Sequence, residues 1–246
     1  MGYTNLSPMK NLKQSPVLIF LLLFVSALQA QNPPLQWAKN FGGNFNLNAL
    51  GFDIAVDPAG NVYTTGGFSD TTDFDPGPGT FTLVGKSYDV FVTKLDAYGN
   101  FVWAKSFGGQ AYDFGSSLAV DSVGNVYVTG YFSLTSDFDP GAGTYTLSSA
   151  GFSDIFISKL NANGNFVWAK SIGGSANDRC ESIALDKTGS FVYTTGYFEG
   201  PVDFDPGAGT FSLNTTPFNE DVFVSKLNAN GNFIWAKNMG GASYDE

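Results

Sequence analysis

The chain has 246 residues, with 22 acidic and 12 basic side chains, no histidine and one cysteine. Without histidine there is no Ser-His-Asp or Cys-His relay, no imidazole metal ligand and no imidazole pH switch, and without a second cysteine there is no disulfide framework. The net charge of −10 argues against nucleic acid and against an anionic membrane surface, since both require clustered Lys and Arg.

The first element is a leader. Lys10 and Lys13 give a basic start, Val17 to Val25 is an apolar run, and Ser26-Ala27-Leu28-Gln29-Ala30 supplies small residues for cleavage. Residues 1–30 therefore read as a secretory signal peptide, too short and wrongly flanked for a spanning helix. A mature chain from Gln31 keeps 10 basic and all 22 acidic residues, a net charge of −12. The expectation is a secreted or cell-surface protein with no membrane span after cleavage.

Residues 31–43 form a lead-in strand, Leu35–Phe41, carrying the first of four Trp-Ala-Lys strings. These begin at Trp37, Trp103, Trp168 and Trp235, at intervals of 66, 65 and 67 residues. Between them Asp-Phe-Asp-Pro-Gly returns at Asp73, Asp137 and Asp203, and Lys-Leu-Asp/Asn at Lys94, Lys159 and Lys226. A fixed period of this length signifies stacked units. In the first unit, Phe52–Asp57, Val62–Phe68, Asp89–Leu95 and Phe101–Phe107 read as strands, rich in Val, Ile, Phe, Tyr and Thr. Asp57-Pro58-Ala59-Gly60-Asn61 and Asp96-Ala97-Tyr98-Gly99-Asn100 have the residue preferences of type I turns with a left-handed glycine. No helical period survives the glycines and prolines.

Each unit is thus predicted to be a four-stranded antiparallel meander that buries its faces only by stacking. The expected fold is all-β, a β-propeller-type array with blades at 44–109, 110–174 and 175–241 and the start of a truncated further blade at 242–246. In the fourth strand Phe101, Trp103, Lys105 and Phe107 alternate with Val102, Ala104 and Ser106, so the tryptophans are expected to pack between blades. Three blades and an orphan strand are too few to close a ring, so the expectation is an incomplete ring from a fragment, with apolar end faces open to association.

Ile54-Ala55-Val56-Asp57 with Gly60-Asn61-Val62-Tyr63-Thr64-Thr65-Gly66, and Leu118-Ala119-Val120-Asp121 with Gly124-Asn125-Val126-Tyr127-Val128-Thr129-Gly130, resemble the SBBP repeat family of bacterial seven-bladed β-propellers. The third copy departs, with one residue inserted and Ser190 after Gly189. The resemblance implies a secreted or surface protein and carries no catalytic residue.

The connection from Ser69 to Tyr88 is far longer than the hairpin turns, so its rim is the expected functional face. Its Asp73, Asp75 and their repeats Asp137, Asp139, Asp203 and Asp205 read first as turn carboxylates beside Pro and Gly. Their second reading is Ca²⁺ coordination, although Gly77 stands where a calcium loop places Asp or Asn. Paired acids could also serve glycoside hydrolysis, but identical copies around a ring suit structure or repeated binding better than one catalytic centre. Leu95 to Trp103 resembles the docking motif of quinoprotein propellers, with Tyr98 where that motif has Thr. Cys180 reads as a small hydrophobe beside a strand. The leading expectation is a non-enzymatic binding or scaffold module whose partners are extracellular polysaccharide, protein, or further blades of its own chain. The alternatives are a polysaccharide hydrolase or lyase and a quinoprotein-like scaffold.

Overall fold

The computed structural model describes residues 36–40, 49–216 and 219–241. The leader, residues 31–35 and 41–43 of the lead-in segment, residues 44–48 at the start of the first blade and the 242–246 segment lie outside the described residues. All strands belong to the unit that runs from Trp37.

The first blade comprises β1 (Ala49–Val56), β2 (Val62–Asp73), β3 (Thr82–Leu95) and β4 (Phe101–Gly109). The second contains β5 (Phe114–Val120), β6 (Val126–Phe132), the short β7 (Thr135–Asp137) and β8 (Thr146–Ser148), β9 (Asp154–Leu160) and β10 (Phe166–Ile172). The third contains β11 (Arg179–Leu185), β12 (Phe191–Glu199), β13 (Pro201–Asp203), β14 (Ser212–Asn214), β15 (Glu220–Asn228) and β16 (Phe233–Met239). The blade sheets run β1-β2-β3-β4, β5-β6-β9-β10 and β11-β12-β15-β16, every neighbour antiparallel. This is the propeller-type, all-β array expected from the repeat.

The tight turns are built by one side chain. Asp57 Oδ1 accepts the amides of Ala59 and Asn61 at 2.9 Å, and Oδ2 accepts Asn61 Nδ2 at 2.7 Å, while Gly60 takes the left-handed position. In the third blade the inserted residue is absorbed without loss, because Phe191 N–H now reaches Asp186 Oδ1 at 2.8 Å.

Blades join through apolar faces. Tyr63, Val90 and Val92 of the first pack with Leu118, Val126 and Phe156 of the second. Tyr127, Ile155 and Ile157 of the second pack with Ile183, Phe198 and Phe223 of the third. Ile54 holds the repeat position of Leu118 and Ile183, yet it is 61% exposed against 4% and 6%, because no described blade precedes it. The tryptophans fasten these junctions from outside: Trp103 Nε1 donates to Ala162 O at 3.2 Å and Trp168 Nε1 to Ala229 O at 3.1 Å. Trp37 repeats the bond, donating to Ala97 O at 3.2 Å. Residues 36–40 are not in a strand, since among the described residues no third strand of a preceding blade stands beside them to supply a ladder.

Two expectations are corrected. The alternation predicted for Phe101–Phe107 is broken by a bulge, with Phe101 opposite Leu95 but Trp103 opposite Lys94, which turns Val102 outward. The long connection is not an open loop either. In the first blade β2 and β3 continue through a bulge to Asp73 opposite Thr82, and in the others the segment forms the β7–β8 and β13–β14 hairpins. The β7–β8 hairpin is bound to the blade before it, Asp137 pairing with Gly108 and Ser136 with Gly109, and Asp203 bridges Gly173 likewise. The turn into each hairpin needs a left-handed residue: Asp70 (φ 56°), Leu134 (φ 60°) and Gly200 (φ 78°). A leucine is strained there, so Leu134→Gly should raise stability by up to about 1 kcal/mol. Denaturant titration checks this, and a loss of stability would show that the exposed leucine is held by something other than backbone geometry.

Candidate functional site

The first strand of each blade carries one extra residue. Pairing shifts between Gly51 and Asp53, between Gly115 and Ser117, and between Cys180 and Ser182. The bulged residues are therefore Phe52, Ser116 and Glu181, the same position in three repeats. A bulge re-aims a side chain and bends its strand. Here it turns all three toward one cleft of about 390 Å³, lined also by Phe114, Tyr131 and Arg179. The first strands lie side by side, held by Ser117 Oγ donating to Asp53 Oδ2 at 2.6 Å and by Ile183 N donating to Ser117 Oγ at 3.4 Å.

Phe114 is the centre of an aromatic group. Its ring lies 6.0 Å from Phe52, 5.1 Å from Tyr88 in a stacked arrangement, 5.5 Å from Tyr131 and 6.4 Å from Tyr112. It fits because the opposing residue of the preceding blade is Gly67, where any Cβ would strike the ring. One blade on, Arg179 takes the place of Phe114 and lays its guanidinium 4.2 Å from the centroid of Tyr131. Phe52 and Tyr112 remain 54% and 60% exposed, so the group presents aromatic faces to solvent rather than burying them. Burial pushes the Tyr131 hydroxyl up, Arg179 opposes and Glu181 reinforces the shift. Tyr131 therefore acts as a neutral ring and hydroxyl.

Beneath the connections between blades lies a second polar group, one that local patterning does not expose. Asp154 opens β9 and Asp89 holds the same repeat position within β3, while Asp113 and Asp178 precede β5 and β11, and all four are buried. Asp113 accepts Gly109 N at 2.7 Å, Ser136 Oγ at 2.9 Å and Ser133 N at 3.3 Å, tying together three segments of the junction. Asp178 accepts Gly174 N at 2.6 Å and Glu199 N at 3.1 Å. By contrast Asp89 Oδ1 and Asp154 Oδ1 are buried without a hydrogen-bond donor. A Cβ on Gly108 would stand 2.5 Å from Asp89 Oδ1 and 2.8 Å from Asp113 Oδ2, so the two carboxyls share one crowded space, and only glycine can cross it. Burial, with a smaller push from Asp89, raises Asp113 to about 7, and burial with Asp154 and Glu199 raises Asp178 to about 7. The sequence does carry one signal for this group: an aspartate stands immediately before each Val/Ile-Phe-Val/Ile triplet, once per period.

The Asp-Phe-Asp-Pro-Gly aspartates lie at the hairpin tips, one pair per blade, and the structure does not bring the three pairs together. Asp73 Oδ1 accepts Asp75 N at 3.0 Å and Phe81 N at 2.9 Å, and Asp75 Oδ1 accepts Gly77 N at 2.7 Å. Asp137, Asp139, Asp203 and Asp205 repeat these bonds. Among the described residues no group of three or more carboxylate, Cys or His side chains is placed to hold a metal ion. Cys180 is fully buried, its thiol pushed up to about 12 by burial, so no thiolate forms near neutral pH.

Comparison with known proteins agrees with this architecture. Residues 102–131, from β4 through most of β6, match the model of the SBBP family, described as a beta-propeller repeat, as the repeat motif led us to expect. An uncharacterized WD repeat-containing protein of Acanthamoeba polyphaga mimivirus is 28% identical over 236 residues, 83% of this chain and 16% of that protein. The regulatory protein FlaEY of Caulobacter vibrioides is 28% identical over 154 residues, 61% of this chain and 16% of its own length. The aligned part is thus about one sixth of either relative.

Proposed function

We propose that this chain, a β-propeller-type repeat module, is secreted or displayed at the cell surface and binds extracellular polysaccharide through the cleft between its first strands. The observation that carries this reading is where the repeats disagree. Turns, tryptophans and hairpins recur almost unchanged, whereas the bulge positions read Phe52, Ser116, Glu181 and the positions two before them Leu50, Phe114, Arg179, all but Leu50 lining the cleft. Repetition supplies a rigid frame, and divergence at the bulges supplies one asymmetric constellation on it. Exposed aromatic faces with a few convergent polar groups suit a ligand that presents both apolar C–H faces and hydroxyls. A glycosidase would require two carboxylates across the scissile bond, and among the described residues Glu181 is the single acid lining the cleft. The reading is therefore of binding without turnover.

A glycan array combined with a reducing-sugar release assay tests it. Retention of one or more glycans, no sugar release, and loss of retention in Phe52→Ala are expected. Sugar release would replace the module with an enzyme, and retention untouched by Phe52→Ala would move the site away from the cleft.

A further inference from the structure

We infer that the cleft selects acidic saccharides, taking a sugar carboxylate on Arg179; this rests on the polysaccharide-binding reading above. Arg179 is the one arginine in an otherwise acidic chain. Its guanidinium is positioned by aromatic groups, set over the ring of Tyr131 and hydrogen-bonded to Tyr197, while its Nε is buried without an acceptor. The residue lines the cleft, and a planar, fork-shaped guanidinium matches the two oxygens of a carboxylate.

The neighbours narrow the ligand. Phe52 and Phe114 line the same cleft as the guanidinium, with Tyr112 beside Phe114, so the anion should be carried by a body with an apolar face, as a pyranose is. Glu181 lines the cleft too and would oppose the anion. Its presence sets the affinity low for a bare anion and makes ring stacking necessary, which favours a uronic-acid chain over inorganic phosphate or acetate.

Titration calorimetry of the full chain with polygalacturonate, and in parallel with dextran, tests the inference at low ionic strength. Polygalacturonate should bind and dextran should bind more weakly or not at all. Arg179→Gln should weaken polygalacturonate roughly tenfold or more, and Arg179→Lys should weaken it less, because a point charge replaces the fork. Glu181→Gln should tighten binding. Should Arg179→Gln fail to fold, the Glu181→Gln response reads the same local charge in a chain whose Arg179 packing is intact. Equal affinity for dextran, or polygalacturonate binding indifferent to Arg179 and Glu181, would overturn the inference while leaving polysaccharide binding in place. No retention of any glycan on the array would remove both.

Discussion

Phe138→Ala is expected to lower the free energy of unfolding by about 3–5 kcal/mol, the cost of deleting a large, fully buried ring whose surroundings cannot collapse. Phe138 belongs to the hairpin of the second blade, but its ring lies 5.5 Å from Phe107 of the first blade and 5.2 Å from both Phe132 and Phe156 of its own. It therefore plugs a junction instead of filling the core of one sheet. Two ladder pairings, Asp137 with Gly108 and Ser136 with Gly109, hold the hairpin over that junction. Removing the ring should open a cavity between blades and uncouple them, so unfolding should become broader as well as easier. Urea titration followed by fluorescence measures both effects. A loss below about 1 kcal/mol would mean that the hairpin is a surface ornament.

Asp89→Asn and Asp154→Asn together should stabilise the protein at pH 8 by about 1–3 kcal/mol, which for a domain of this size is a rise in melting temperature of roughly 5 °C. An amide can donate to the neighbouring carboxylate where two acids can only repel or share a proton. The third blade shows the favourable arrangement, with Asn238 Nδ2 donating to Asp221 Oδ2 at 2.8 Å. The pH dependence follows from the direction of the shifts. Asp113 and Asp178 stand near 7 in the folded chain, above the ordinary value of 3.8, so between about pH 4 and 7 the native state holds protons that the unfolded chain has released. Their contribution is fully present below about pH 4 and is lost as the pH rises to 7. Asp186 has the opposite sense: the Thr188 hydroxyl and Phe191 N–H hold it down to about 2, so its contribution disappears as the pH falls from 4 toward 2. Maximum stability should thus lie near pH 4 to 5, and the double Asn variant should flatten the neutral side of the profile. A wild-type melting temperature that climbs steadily from pH 4 to 8 would refute the paired-acid account.

The strands are legible in the sequence because a strand side chain has only two directions to point and the turns are written in Asp, Asn and Gly. The long segment from Ser69 to Tyr88 resembles a loop because the arms of its second-blade counterpart, Thr-Ser-Asp and Thr-Leu-Ser, are only three residues long and half exposed. Such arms become strands by pairing with Gly108 and Gly109, which are distant in the chain. The cleft is hidden for a related reason. Phe52, Ser116 and Glu181 look like ordinary alternating residues until the register shift opposite β2, β6 and β12 is known. Asp89 and Asp113 are 24 residues apart, and nothing local indicates that they face each other.

By itself the sequence determined the repeat, the four strands per blade, the turn chemistry and the blade-to-blade duty of Trp103 and Trp168, because each follows from local patterning or from a period that forces like units to stack. Only the tertiary structure decided which residues form the cleft, which aspartates are buried together, and that Phe138 serves two blades. Those properties arise where separate strands meet in register, and a one-residue bulge is enough to redirect a side chain without altering the pattern from which the strand is read.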